Sequence, residues 1–229
     1  MLEFFCLSLV SGQADGLAGG RAGSMAEQVD VYYDFRSPYA YFAARRIMQR
    51  QFVAPVAVEW RWRPVSIDVL LNLQAGREPH APYSDPLAPP KRRHLVADVR
   101  RCAAFYGAPL VPPHVPRPDP VPALCVALLL QQRAIRCEAF VQAVFDEMWA
   151  RAGRIDSHEV LVRCLEQVPS GEKILETARL EETKRELTAA SLKAYDAGIF
   201  GVPSFVFGGE VLFGADRLDM LGWRMQRGG

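Results

Sequence analysis

No C-x-x-C pair occurs in this chain of 229 residues. Its five cysteines, Cys6, Cys102, Cys125, Cys137 and Cys164, also lack zinc-ligand spacing with its four histidines. The first absence removes the dithiol that disulfide exchange requires, and no metal site is expected from the second. Cys102, Cys125, Cys137 and Cys164 fall in apolar, helix-like stretches, so buried reduced thiols are expected. Such usage suits a reducing, cytoplasmic setting better than a secreted disulfide framework. An excess of one charge is missing too: 27 Lys and Arg face 26 Asp and Glu, a net charge of +1, which gives no electrostatic case for nucleic acid as a partner. Lys91-Arg92-Arg93-His94 has two readings, the solvated start of a helix and a local contact for an anion. No run approaches the 18 apolar residues of a membrane span, so no membrane partner is expected. There is no internal repeat.

What is present is ordinary for a globular protein, with half of the residues hydrophobic and 23% charged. That is enough chain to bury a sizeable core. Residues 1–28 read as a disordered extension. Leu2 to Val10 is apolar but short, holds an acid and lacks the basic start of a signal peptide. Ser11 to Ser24 is rich in glycine and alanine, and Met25 stands where an alternative start would fall.

Val29 to Phe35 is rich in β-branched and aromatic residues and predicts a buried strand. Ser37-Pro38 then supplies an N-cap and a first helical position, with the helix expected to run to about Phe52. Val56 to Arg63 predicts a second strand, parallel to the first through a right-handed crossover. From Ile67 to about Leu192 the pattern is helical, with helices expected at Lys91–Tyr106, Ala123–Gln132, Cys137–Ala150, Ser157–Gln167 and Leu180–Gly198. Proline-rich loops at Pro79–Pro90 and Pro109–Pro122 are long enough to line a pocket. Ser204–Phe207, a Gly208-Gly209 turn and Glu210–Phe213 predict an antiparallel hairpin, and Asp216 to Met225 a closing helix. The implied division is a discontinuous α/β domain, 29–66 with 193–229, and a helical insertion, 67–192.

Ser37-Pro38 alone is what any helix start favours. Its place is more informative: Ser37 lies at the C-terminal end of a strand, where open α/β sheets bind ligands, and at a helix N-terminus, whose free amides favour an anion. Val202-Pro203 precedes a strand, where proline is allowed at the entry. If that bond is cis, Val202 can present its backbone to an added peptide strand. The other reading of Pro203 is a turn proline.

The segments Asp34-Phe35-Arg36-Ser37-Pro38-Tyr39-Ala40-Tyr41-Phe42 and Gly201-Val202-Pro203-Ser204-Phe205, followed by Gly214-Ala215-Asp216-Arg217-Leu218, resemble the 2-hydroxychromene-2-carboxylate isomerases. These are DsbA-like members of the thioredoxin superfamily, related to kappa-class glutathione transferases. The resemblance spans roughly Val29 to Leu221 and includes the stretch Arg100 to Leu110. It implies a thioredoxin-like α/β fold with a large all-helical insertion. In the redox-active relatives the matching segment is C-P-x-C. Ser37 stands at the first cysteine and Ala40 at the second, so a dithiol cycle at this site is excluded.

What the resemblance implies is glutathione as cofactor, with its cysteine beside the hydroxyl of Ser37 as catalytic residue. Val202 and Pro203 would hold its backbone, and Phe213, Gly214, Asp216 and Arg217 its γ-glutamyl end. Arg217 has a second reading, as an anchor of the last helix. The implied reaction is reversible thiolate addition to an aromatic substrate, bond rotation and elimination. The substrate's carboxylate calls for a cation, and Arg36, Arg63, Lys91 and Arg117 are candidates. Tyr39, with Ser84, Asp85 and His114 on the two proline-rich loops, could form the substrate wall. The resemblance also implies a homodimer. A kappa-like transferase and a thioredoxin-like binding module without chemistry are the competing readings.

Overall fold

The computed structural model describes residues 26–84, 87–113 and 117–227. The expectations for residues 1–25, Asp85 and His114 lie outside them. Strand β1 (Glu27–Tyr33), helix α1 (Pro38–Met48) and strand β2 (Val58–Pro64) form the expected unit of two parallel strands and a crossover helix. Strands β3 (Ser204–Phe207) and β4 (Glu210–Phe213) form the hairpin, and β3 pairs antiparallel with β1, giving the order β2-β1-β3-β4. Between β2 and β3 run α2 (Ile67–Gln74), α3 (Pro89–Phe105), α4 (Val121–Gln132), α5 (Glu138–Ala150), α6 (His158–Cys164), α7 (Gly171–Ala178) and α8 (Glu181–Asp196). A 3-10 turn at Ala215–Arg217 leads into α9 (Leu218–Met225).

Alternation along the strands sorts the sheet into two faces. Val29, Val31 and Tyr33 on β1, Trp62 on β2 and Phe205 and Phe207 on β3 share one buried cluster with α1, α4 and α5. Phe35 meets Tyr33, Phe140 and Phe145 edge to face in it, and Tyr41 packs tilted on Phe145; burying each such ring contributes about 1.5–3 kcal/mol. The other face carries Tyr32 and Val206 and packs on Val65, Leu70, Ala194 and Ile199 from around α2 and α8. Ala123 through Leu130 of α4 are buried on every side, against β2, α5, α7 and α8. The helical insertion is therefore continuous with the core of the sheet.

Several boundaries differ from those the sequence suggests. The first helix stops at Met48, because Arg50 turns left-handed and the Phe52 amide donates back to the Arg46 carbonyl. Helices α3 and α4 begin inside the stretches expected as loops, since Pro89, Pro90 and Pro122 occupy first-turn positions that need no N–H. Helix α7, between two expected helices, is short and carried by Ile174, Leu175 and Ala178. The last helix is preceded by the 3-10 turn that holds Asp216 and Arg217. Cys125, Cys137 and Cys164 are buried free thiols, whereas Cys102 is half-buried. Among the described residues no helix is long and apolar enough to cross a membrane, and no cluster of His, Cys, Asp and Glu suits a metal ion.

Candidate functional site

The turn from β1 into α1 is fixed by a fully buried carboxylate. Asp34 accepts from the Arg36 amide through Oδ1 (2.8 Å) and from the Ile67 amide through Oδ2 (2.9 Å), tying the start of α2 to the turn. Trp149 of α5 donates its indole N–H to the Phe35 carbonyl (2.8 Å), and the Ser37 amide donates to the Asp34 carbonyl (3.0 Å). Ser37 is consequently presented at the end of the strand in one conformation.

Ser37 is the N-cap of α1. Its Oγ accepts from the Ala40 amide (3.2 Å), as a serine at this position does. The same hydroxyl donates to the Val202 carbonyl at 3.3 Å. That is long for an O–H···O bond, whose usual length is about 2.7–2.8 Å, so the hydroxyl can be turned to a better acceptor at small cost. Ser37 is 5% exposed. No acidic residue stands in the first turn of α1, so no carboxylate of that turn offsets the positive end of the helix. Among the described residues the Tyr39 and Val202 amides have no partner.

The Val202-Pro203 bond is cis. Beside it, Phe200 and Phe213 lie 4.8 Å apart, both partly exposed. A Cβ at Gly201 would meet the Phe213 ring at 2.7 Å, so only glycine lets that ring lie over the backbone here. The Gly214 amide donates to the Pro203 carbonyl (2.9 Å), and its φ of 118° suits glycine. The chain then turns to put Asp216 and Arg217 at the rim, their side chains exposed and 3.6 Å apart. Anchoring of this corner falls to Arg46, not Arg217: its guanidinium donates to the Ala215 carbonyl (3.3 Å) and to Asp219 (2.8 Å), and lies over Tyr106.

Ser37, Val202, Pro203, Phe213 and Gly214 are thus brought together, with Asp216 and Arg217 beside them. The substrate residues are more scattered. Tyr39 follows the turn but donates its hydroxyl to Asp98 of α3 (2.8 Å). Burial, with the bond to Asp98 adding to it, pushes the Tyr39 phenol up, while the same bond holds the Asp98 carboxyl low. Arg63 donates to Asp30 (2.9 Å), and its register partner Tyr32 lies on the sheet face away from α1. Ser84 is exposed, next to Tyr83.

On the α2 side of the turn lies a cavity of about 290 Å³ lined by Arg36, Asp68, Tyr83, Arg117, Met148 and Trp149, among others. Arg36 approaches Asp68 at 2.9 Å and Asp34 at 3.6 Å. Arg117 also pairs with Asp68, and its guanidinium stacks 3.2 Å from the centre of the Tyr83 ring. Burial works against the charge on Arg36, but Asp34 and Asp68 prevail and hold its pKa above the ordinary value. Of these residues the sequence pointed to Arg36 and Arg117. Asp68, Tyr83 and Trp149 carried no local signal beyond Tyr83 lying on a proline-rich loop.

Residues 28–226 match a family model described as the DSBA-like thioredoxin domain. The 2-hydroxychromene-2-carboxylate isomerase of Sphingobium xenophagum is 28% identical over 202 residues, 86% of this chain and 97% of that protein. Glutathione S-transferase kappa 1 of Caenorhabditis elegans is 24% identical over 214 residues, 87% of this chain and 91% of its own. A solved structure of a 2-hydroxychromene-2-carboxylate isomerase superposes with a TM-score of 0.72 at 23% identity, over 87% of this chain and 95% of that one. At that identity the likeness is one of fold.

Proposed function

The chain belongs to the DSBA-like thioredoxin family, and on that premise we propose that it is a glutathione-dependent isomerase of a 2-hydroxychromene-2-carboxylate-type intermediate. The observation that carries this reading is the 3.3 Å approach of the Ser37 hydroxyl to the Val202 carbonyl, with Ala40 where a second thiol would stand. A buried hydroxyl, a helix N-terminus and the backbone of the cis Val202-Pro203 peptide meet at one point, and no cysteine of the turn is available to react there.

The residues fit a γ-glutamyl-cysteinyl peptide. The Val202 amide is free to pair with an extended peptide backbone, and a side chain at Gly201 would displace the Phe213 wall. Asp216 at the rim suits an α-ammonium group. When bound, glutathione supplies a nucleophilic sulfur that adds to an unsaturated carbon and leaves again. Ser37 turns its hydroxyl from Val202 to that sulfur and favours the deprotonated form. Lowering a thiol pKa by about two units takes about 2.7 kcal/mol. One hydrogen bond to a charged acceptor, about 1.5–3 kcal/mol, plus the end of α1, about 0.3–1 kcal/mol, is of that size. A homodimer belongs to the same reading.

The relative named glutathione S-transferase kappa 1 favours one second reading, in which the conjugate is released. Incubation with glutathione and a 2-hydroxychromene-2-carboxylate separates the two. Isomerised product with all glutathione recovered supports the isomerase, and a stable thioether supports the transferase. Failure of glutathione to bind at all would leave only a binding module.

A further inference from the structure

We propose that a second cavity, between the start of α2, the loop at Pro79–Tyr83 and the first turns of α8, binds a small phosphate monoester. It does not depend on the glutathione reading.

Ser37 and Ser66 open helices with the same backbone and use their hydroxyls differently. Ser37 starts α1 at φ −85°, ψ 113° and caps it through the Ala40 amide. Ser66 starts α2 at φ −86°, ψ 114°, yet its side chain makes no capping bond, although this is the backbone that allows one. Ser66 is 7% exposed and lines a cavity of about 420 Å³. Its hydroxyl is thus a nearly buried polar group turned from its own helix to that space. The Ile67 amide goes to Asp34 and the Leu70 amide to the Ser66 carbonyl. Between them, the Asp68 and Val69 amides have no partner among the described residues, and both residues line the same cavity. A free hydroxyl and two free amides at the positive end of a helix are a donor set for an anion.

The opposite wall supplies charge. Lys184 and Arg185 of α8 line the cavity, and His80 stands on the loop. Arg185 makes no hydrogen bond or ion pair among the described residues. Lys184 meets Glu181 at 2.6 Å, in an exposed pair of the kind that is weak and can trade partners. Two acids also line the space, Glu181 and Asp68, but the Asp68 carboxylate is drawn to Arg36 (2.9 Å) and Arg117. The loop is fixed as a wall by Asn72, a buried side chain whose amide donates to the Pro79 (3.0 Å) and Ala81 (2.8 Å) carbonyls.

Geometry selects among anions. Donors arrive from α2, α8 and the loop, three elements around one space. A carboxylate offers two oxygens in one plane. A phosphate monoester offers three in a tetrahedral array and carries nearly two charges for the two cations. The volume falls within the range of small-molecule pockets, about 300–1,000 Å³, and leaves room beyond a bare phosphate. Val69, Val121 and Leu187 line that remainder and suit the organic part of an ester.

The test is calorimetric titration of the full chain with glycerol 3-phosphate, inorganic phosphate and glycerol at about 0.15 M salt, where loose surface attraction is screened. The wild type should bind glycerol 3-phosphate below millimolar concentration, severalfold more tightly than inorganic phosphate, with no binding of glycerol. Arg185→Gln should lose about tenfold. Ser66→Ala should lose severalfold with an unchanged melting temperature, because no cap is removed. Ser37→Ala should bind as the wild type does. No binding of either phosphate at millimolar concentration, or equal affinity in R185Q and the wild type, overturns the proposal. So does a lower melting temperature in S66A, which would show that the hydroxyl serves its own helix. Weaker binding by S37A would put the phosphate beside β3 and overturn it as well, and inorganic phosphate binding as tightly as the ester would overturn the monoester assignment.

Discussion

The two sides of the β1–α1 turn are built from different materials. Toward β3 the contacts are mostly backbone: the Val202 carbonyl, the Ala40 amide and the Pro203–Gly214 pair surround a serine that is 5% exposed. Toward α2 and α5 they are side-chain charges, Arg36, Asp68 and Arg117, with Asp68 and Arg117 each about one-third exposed. Backbone groups cannot be exchanged and hardly move, so the first side can hold a reacting atom in place. Ion pairs at a partly wet surface are individually weak and can trade partners, so the second side can admit ligands of varied outline. On the proposed function, chemistry belongs to the first side and selection to the second.

The largest test of that contrast is Asp34, which joins the two sides. Asp34→Ala leaves two buried amides and an arginine short of their acceptor, and should cost about 3–5 kcal/mol of stability by urea unfolding. A loss below about 1 kcal/mol would show that the turn is held by other means. Next is Trp149→Phe, which removes the indole bond to Phe35 while keeping an aromatic wall. About 1 kcal/mol of stability should go, with ligand binding weakened on both sides of the turn. Weakening on one side alone would break the idea of a shared support.

Gly201→Ala probes the backbone side alone. The new methyl meets the partly exposed Phe213 ring, which can swing outward, so melting should change little while glutathione affinity falls severalfold. Unchanged affinity would remove Phe213 from the cradle. A separate test concerns the chain's own thiols. Burial pushes Cys125, Cys137 and Cys164 up to about 12, against about 8.5 for an unfolded thiol. Between those values the unfolded chain releases protons that the folded chain retains, so stability is full below about pH 8.5 and falls as pH rises toward 12. Unfolding midpoints between pH 8 and 10 should decline accordingly, and iodoacetamide at pH 7 should leave these three cysteines unmodified in the folded protein.

What could be read from the residues followed the same contrast. Ser37-Pro38, Val202-Pro203 and the Gly208-Gly209 hairpin announce themselves because each is a local arrangement in which residue type sets backbone geometry. The expected first helix was too long by a few residues because nothing in its apolar spacing records the left-handed turn at Arg50. The pocket was nearly silent. Asp68, Tyr83, Arg117 and Trp149 come from four separate segments, and only the packing of α2 and α5 on the turn assembles them. Arg63 shows the same limit from the other side: its charge is plain in the sequence, but its pairing with Asp30 appears only in the folded sheet.

On the proposed function, Ser37 serves a sulfur the protein does not itself provide. Ultraviolet titration of the thiolate of bound glutathione, in the wild type and in Ser37→Ala, addresses it most directly. In the wild type the thiol pKa should lie below that of free glutathione. In the variant it should return most of the way, by one to two units, about 1.5–3 kcal/mol. The same pKa in both proteins, or one no lower than that of free glutathione, would contradict it.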